Sequence, residues 1–228
     1  MSGDDYYLAA DVRELDRVAI QEKGIPGFTL MQRAGAAVFN ALLAKWPATE
    51  NIICFCGSGN NGGDGYIVAS QAAKEGLKAS VIAVGSPEKL RGDALTACQS
   101  ALAAGVSVEP FATFNPAILV SPSRNTALVD AMLGTGLSGN VTGSTLEAIE
   151  LINASPCPVI AADIPSGLCS DTGRILENSV KSDLTVTFIV RKLGQVKESG
   201  PELCGELLFD DLDVPGEIYE KVSPVTSI

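Results

Sequence analysis

Three short segments set carboxylates, amides and glycines at spacings that can do chemistry. GSGNNGGDGY at 57–66 carries the consecutive asparagines Asn60 and Asn61, then Gly62, Gly63 and Asp64. VDAMLGTGLSGN at 129–140 places Asp130 ahead of Gly134, Thr135, Gly136, Leu137, Ser138, Gly139 and Asn140, and AADIPSGL at 161–168 delivers Asp163 before a Pro-Ser-Gly turn containing Ser166. Glycines let a backbone approach a ligand closely, and free N–H groups at a helix start can hold phosphate or ribose. Amide and carboxylate oxygens suit sugar hydroxyls or a hard cation.

Taken singly, each segment has a plainer explanation: a tight turn with Asp64 near a helix N-terminus, where its charge favours the dipole, an aspartate capping or closing a turn at Asp130, and a turn aspartate bonding its own backbone at Asp163. Gly57, Gly59 and Gly62 formally satisfy GxGxxG, but the dinucleotide fingerprint also needs an acid closing the next strand, and that strand ends Ala83-Val84-Gly85-Ser86. The side chains argue for more than a turn. Asn60, Asn61 and Asp64 are more polar than a turn requires, and Asp130 lies in strand context that continues through Ala131 and Met132, where a half-buried carboxylate needs a partner. A cation would serve.

Composition removes several chemistries. The 228 residues include no histidine, which excludes a Ser-His-Asp triad and zinc catalysis and leaves acid–base work to carboxylates, Lys, Tyr or Cys. A net charge of -11 opposes binding to nucleic acid or an anionic membrane, so any attraction for phosphate must be local. The six cysteines show no CxxC pair and are read as small buried apolar residues. With no signal-peptide pattern at the acidic N-terminus and no membrane-length apolar run, a cytoplasmic protein is expected.

The elements that would position these segments alternate. Apolar spacing predicts a helix over 8–23 stopped by Gly24, and a second, capped by Thr29, running from Leu30 to Trp46, so that two helices precede any strand. Strands follow at 51–56, 79–84, 127–132, 159–163, 184–190 and 206–209, with helices at 67–75, 93–104 and 145–153. After Leu212 the periodicity is lost. Crossover helices imply a single α/β domain, a three-layer α/β/α sandwich with a mostly parallel sheet, and in such sheets ligands bind beyond the carboxyl ends of the strands.

GNNGGDG, DAMLGTGL and DIPSGL in this order, with LMQRAG at 30–35 before them and FIVRKLGQ at 188–195 after, resemble the YjeF N-terminal domain family of NAD(P)H-hydrate epimerases. The resemblance covers nearly the whole chain. It implies a Rossmann-like fold, a homodimer, and binding of hydrated NADH or NADPH through residues 60–64, 134–140 and Asp163. It also implies one potassium ion per subunit, held by Asn61, Asp130 and Ser166, consistent with oxygen-only ligands for a hard cation. Some relatives are joined to an ADP- or ATP-dependent dehydratase, an expected fused or separate partner. Many members have proline where this chain has Arg191, and Lys192 is a candidate phosphate contact.

The hydrated cofactor bears a hydroxyl on ring carbon six, beside the nitrogen, and epimerisation must break a bond there. The nitrogen can expel the hydroxyl if a carboxyl protonates it and water returns to the other face, a role assigned to Asp163. A non-catalytic nucleotide-binding or scaffold module is the alternative, because folds outlive their chemistry. A hydride-transferring dehydrogenase is a third reading, weakened by the missing acid after the second strand.

Overall fold

The computed structural model describes residues 5–225. The chain starts with a two-residue strand β1 (Tyr6–Tyr7), helix α1 (Ala9–Arg17), a π-helical turn (Val18–Glu22) and helix α2 (Gly27–Lys45). A strand therefore precedes the two expected helices. It is too short to show a period, and pairs only with another two-residue strand near the other end of the chain. Gly24, at φ +70°, ends the first helical segment as expected. Thr29 does not cap α2. Pro26, with φ held at -58°, occupies the cap and starts the helix two residues before it.

There follow β2 (Asn51–Cys56), α3 (Asn60–Lys74), β3 (Lys78–Ala83), α4 (Gly92–Ala103), β4 (Ser107–Pro110), a short α5 (Ala117–Val120), β5 (Thr126–Ala131), α6 (Gly143–Ala154) and β6 (Val159–Ala162). The chain continues through β7 (Leu184–Phe188), β8 (Arg191–Lys192), α7 (Gly200–Cys204), β9 (Glu206–Asp210) and a 3-10 turn (Gly216–Lys221). Strand β4 escaped the sequence pattern because only Val108 and Pro110 are apolar in it and it lies on a sheet edge, where neither face is well buried. The expected strand over 184–190 stops at Phe188, since Ile189 turns to φ +63° and the chain restarts as β8 beside β1. The stretch after Leu212 is also less irregular than its sequence suggests: Ile218 is buried against the core.

The main sheet has seven strands in the order β4-β3-β2-β5-β6-β7-β9, every pair parallel. Alternation along β2 feeds two cores. Ile52, Cys54 and Cys56 pack with α1, α2, α3 and α4, while Ile53 and Phe55 pack with α5 and α6 on the opposite face. This is the three-layer Rossmann-like sandwich expected. The chain winds outward from β2 to β4, then returns to lay β5 against the other side of β2, so the strand order reverses between β2 and β5. Loops leaving those two strands separate at such a point and open a crevice.

Candidate active site

A cleft of about 730 Å³ opens at that reversal, within the range of small-molecule sites. Asn60, Asn61 and Asp64 line it from the β2–α3 turn, Gly134 to Ser138 from the loop after β5, and Asp163 from the end of β6. Gly62, Gly63, Gly139 and Asn140 do not line it. Asn140 lies outside, its amide donating to Glu177.

The glycine-dense segment is helix earlier than its composition suggested: α3 starts at Asn60 rather than at Ile67. Most of its glycines serve packing. A Cβ on Gly62 would stand 2.0 Å from the Gly57 carbonyl oxygen, one on Gly63 2.5 Å from the Met31 sulfur, and one on Gly65 2.6 Å from Ala131 Cβ and Cys56 Sγ. Glycine at these positions lowers α3 onto α2 and the sheet. Only Gly59, the residue before the helix, has open space around its Cα, and it is there that backbone can meet a ligand.

Beneath the cleft floor, Asp130 at the end of β5 is fully buried. Its Oδ1 accepts from Ser166 Oγ at 2.6 Å and from the Met132 amide at 3.2 Å, and its Oδ2 accepts from the Ser166 amide at 2.7 Å. Burial pushes the carboxyl up to about 6, with the Ser166 hydrogen bonds pulling the other way. Asn61 donates from Nδ2 to the Leu133 carbonyl at 3.1 Å, yet its Oδ1 is buried with no partner among the described residues. An orphaned buried acceptor is costly unless something meets it. Asn61, Asp130 and Ser166 present only oxygens, one of them orphaned, around a carboxylate, and that donor set fits a monovalent hard cation.

Asp163 follows β6 in a left-handed conformation, φ +66°, where a non-glycine residue is uncommon. The conformation is held from several sides. The Asp163 amide donates to the Val186 carbonyl at 2.8 Å, and Gln195 Nε2 donates to the Asp163 carbonyl at 2.8 Å. The Asp163 carboxylate accepts from the Phe188 amide at 3.3 Å and from the Lys192 ammonium, with which it forms an ion pair. Lys192 is fully buried, and its ammonium also donates to Thr187 Oγ1 at 2.9 Å and the Phe188 carbonyl at 3.0 Å. All three of its protons are therefore engaged by the protein, and the phosphate contact considered for Lys192 gives way to the anchoring of Asp163.

Two further carboxyls share the cleft. Asp64, 9% exposed and the fifth residue of α3, accepts no hydrogen bond among the described residues. Burial, then repulsion from Asp163 and Asp16, hold its carboxyl well above the usual carboxylate range. Asp16 enters from α1 and was not singled out from sequence. Burial first, then Asp163, push it up to about 6, against the pull of Lys192. The signal existed: Asp16 is four residues after Val12 and three before Ala19, so helical spacing puts it on the same face as buried apolar residues.

A doubly wound parallel sheet with carboxyls gathered at its reversal defines a Rossmann-like protein with a polar, acid-lined ligand cleft. Residues 27–194 match the family described as YjeF-related protein N-terminus, and the chain belongs to that family. A bifunctional NAD(P)H-hydrate repair enzyme Nnr of Coxiella burnetii is 40% identical over 95% of this chain and 43% of its own length. An NAD(P)H-hydrate epimerase of Limosilactobacillus fermentum is 34% identical over 89% of this chain and 94% of its own, and one of Legionella pneumophila is 31% identical over 96% and 82%. The chain thus spans less than half of the bifunctional relatives and most of the monofunctional ones. The crystal structure of yeast ynu0 superposes with a TM-score of 0.81 at 19% identity, covering 97% of this chain and 95% of that one, which is agreement in fold.

Proposed function

We propose that the protein is an epimerase of hydrated NADH and NADPH. The observation that carries the reading is Asp163, strained into a left-handed turn and ion-paired to a buried lysine at the floor of a cleft whose other walls are the expected ligand loops. Functional sites are where such strain persists. The names of relatives that match over most of their length support the substrate and the reaction.

In this reading the α3 N-terminus and the loop after β5 receive the dinucleotide's phosphates and ribose, the positive end of the helix dipole compensating for a cleft that is otherwise acidic. Asp64, held neutral, offers the ligand a hydrogen bond without adding charge. Asp163 handles the proton that accompanies the hydroxyl at carbon six, and Lys192 fixes its position. Asn61, Asp130 and Ser166 would hold one potassium ion per subunit, which supplies charge compensation for Asp130 and ties the β5 loop to α3. A homodimer, a cytoplasmic location and a fused or separate ADP- or ATP-dependent dehydratase complete the proposal. The bifunctional relatives support the last, and the six free cysteines suit a reducing compartment.

Chirally resolved hydrated NADH or NADPH should be epimerised by substoichiometric purified protein much faster than in a blank. Equal rates with and without protein would overturn the reading and leave a non-catalytic binding module.

A further inference from the structure

Epimerisation exchanges a hydroxyl on one face of a ring carbon for a hydroxyl on the other. A carboxyl fixed to one wall of a cleft reaches one face. Asp163 is fixed: its ion pair with Lys192, its hydrogen bond from Phe188 and its backbone bonds leave it no freedom to swing across a bound ring. If Asp163 serves one face, a second proton-transferring group is needed for the other.

The cleft supplies one. Asp16 lines it from α1, on a different structural element from Asp163, and its carboxyl is half-buried with no hydrogen bond or ion pair among the described residues. The charged groups that share its surroundings are Asp64 on α3, Asp163 after β6, Lys192 on β8, Asp93 on α4 and, on its own helix, Arg13. Among the buried groups, three carboxyls surround a single ammonium already committed to one of them, an arrangement that favours retention of protons by the other two. The site is more than a cluster of acids, since Asp64 and Asn61 are each over nine-tenths buried and line the same cleft, and among the described residues Asn61 Oδ1 has no hydrogen-bond partner and the Asp64 carboxyl accepts no hydrogen bond.

Resting on the epimerase reading, we propose that Asp16 is a second catalytic acid–base group, acting on the face of the nicotinamide ring opposite Asp163. Protonated Asp16 gives its proton to the hydroxyl oxygen on carbon six as the carbon–oxygen bond breaks. The bonding pair leaves with the departing water, and the ring nitrogen's lone pair forms a double bond to carbon six. On the other face a water oxygen bonds to carbon six, that double-bond pair returns to nitrogen, and Asp163 accepts the proton the water releases. One water leaves and one enters, with no change of oxidation state. The opposite epimer uses the two carboxyls in exchanged roles, and solvent at the cleft mouth resets the proton. Asp64, more deeply buried than Asp16 and shifted upward by burial and by its acidic neighbours, is assigned to binding rather than to proton transfer.

The test compares full-length wild type, Asp16→Asn, Asp16→Glu and Asp163→Asn on chirally resolved hydrated NADH, with kcat and KM from pH 5 to 9 and melting temperatures alongside. Asp16→Asn is expected to lose about 10²-fold or more in kcat with KM little changed, the size of a lost acid–base group. Asp16→Glu keeps the carboxyl and should retain far more activity than the amide. Wild-type kcat/KM should decline as pH rises above about 6, and that decline should be absent in Asp16→Asn. Asp16→Asn with near-native kcat and an unchanged pH profile, or a loss confined to KM, overturns the proposal while leaving the epimerase reading standing. An inactive wild type overturns both. Should Asp16→Asn fail to fold, a folded but inactive Asp16→Glu, or a wild-type profile flat across pH 6, overturns it equally.

Discussion

Lys192 is fully buried while Asp163, its ion-pair partner, keeps its carboxylate 13% exposed toward the cleft. The pair is thus asymmetric: the cation is structural and the anion is available. Removing the cation leaves a buried carboxylate uncompensated and three acceptors without their donor. Lys192→Met should therefore cost about 3–5 kcal/mol in denaturant unfolding. The double variant Lys192→Met with Asp163→Asn should recover a large part of that loss, because the orphaned charge is gone. A double variant no more stable than the single one would mean that the lysine acts through packing rather than charge.

Asp163→Asn alone should retain dinucleotide binding and remove about 10²–10⁴-fold of the turnover, since the amide is nearly isosteric but cannot exchange a proton as a carboxyl does; it also leaves the buried Lys192 ammonium without its anion, so the variant should be less stable than wild type. Asp64→Asn changes a cleft-lining group whose carboxyl burial already shifts upward and which takes no part in the proton transfer, so its effect should fall on binding. Single-turnover rates and binding titrations separate the two. Near-native turnover by Asp163→Asn at saturating substrate would rule out its part in proton transfer.

The cation site predicts selective stabilisation. Potassium should raise the melting temperature more than sodium or a bulky organic cation at matched ionic strength, because only a ligand with a site in the folded state shifts the equilibrium by mass action. Asn61→Ala removes the orphaned Oδ1 and should abolish the difference. Identical responses to all three cations would refute the site.

The glycines divide by what surrounds them. Gly62→Ala brings a methyl to 2.0 Å from the Gly57 carbonyl, a backbone atom that cannot step aside, and should destabilise by about 1–3 kcal/mol or more. Gly136 has nothing within 4 Å, so Gly136→Ala should be close to neutral in stability, about 0.5 kcal/mol or less. Thermal unfolding of the two variants side by side checks this.

That division also shows what the sequence could and could not convey. Continuous apolar runs such as IICFC announced buried parallel strands, and the carboxylates placed at their ends pointed to one crevice, because both follow from local pattern. The glycines of GNNGGDG were read as ligand-facing, but Gly62, Gly63 and Gly65 answer to Gly57, Met31 and Ala131, contacts that only the packed fold creates. Lys192 likewise reads in the sequence as a candidate phosphate contact, whereas the break at Ile189 and the pairing of β8 with β1 place it in the buried interior beside Asp163. Asp16 was legible in principle, as a charge on an apolar helical face, but its role depends on Asp64 and Asp163, which are far away in the chain and meet it only across the cleft.

A carboxyl tuned for proton transfer should weaken the fold where it is ionised. In the unfolded chain Asp16 titrates near its ordinary value of 3.8, whereas in the folded protein burial and Asp163 raise it to about 6. Between those values the folded state binds a proton that the unfolded state has released, so stability falls as pH climbs through this window and levels off above it. Two pH units correspond to at most about 3 kcal/mol, and the partial exposure of Asp16 reduces this to about 1–2 kcal/mol. Asp16→Asn should accordingly unfold at a higher temperature than wild type at pH 8, by about 2–8 °C for a chain of this size, with little difference at pH 4. Substrate-free protein is the right sample, since a ligand would alter the charges around Asp16. A variant that is destabilised equally at both pH values would show that the carboxyl contributes through contacts, and that folding carries no penalty for its charge.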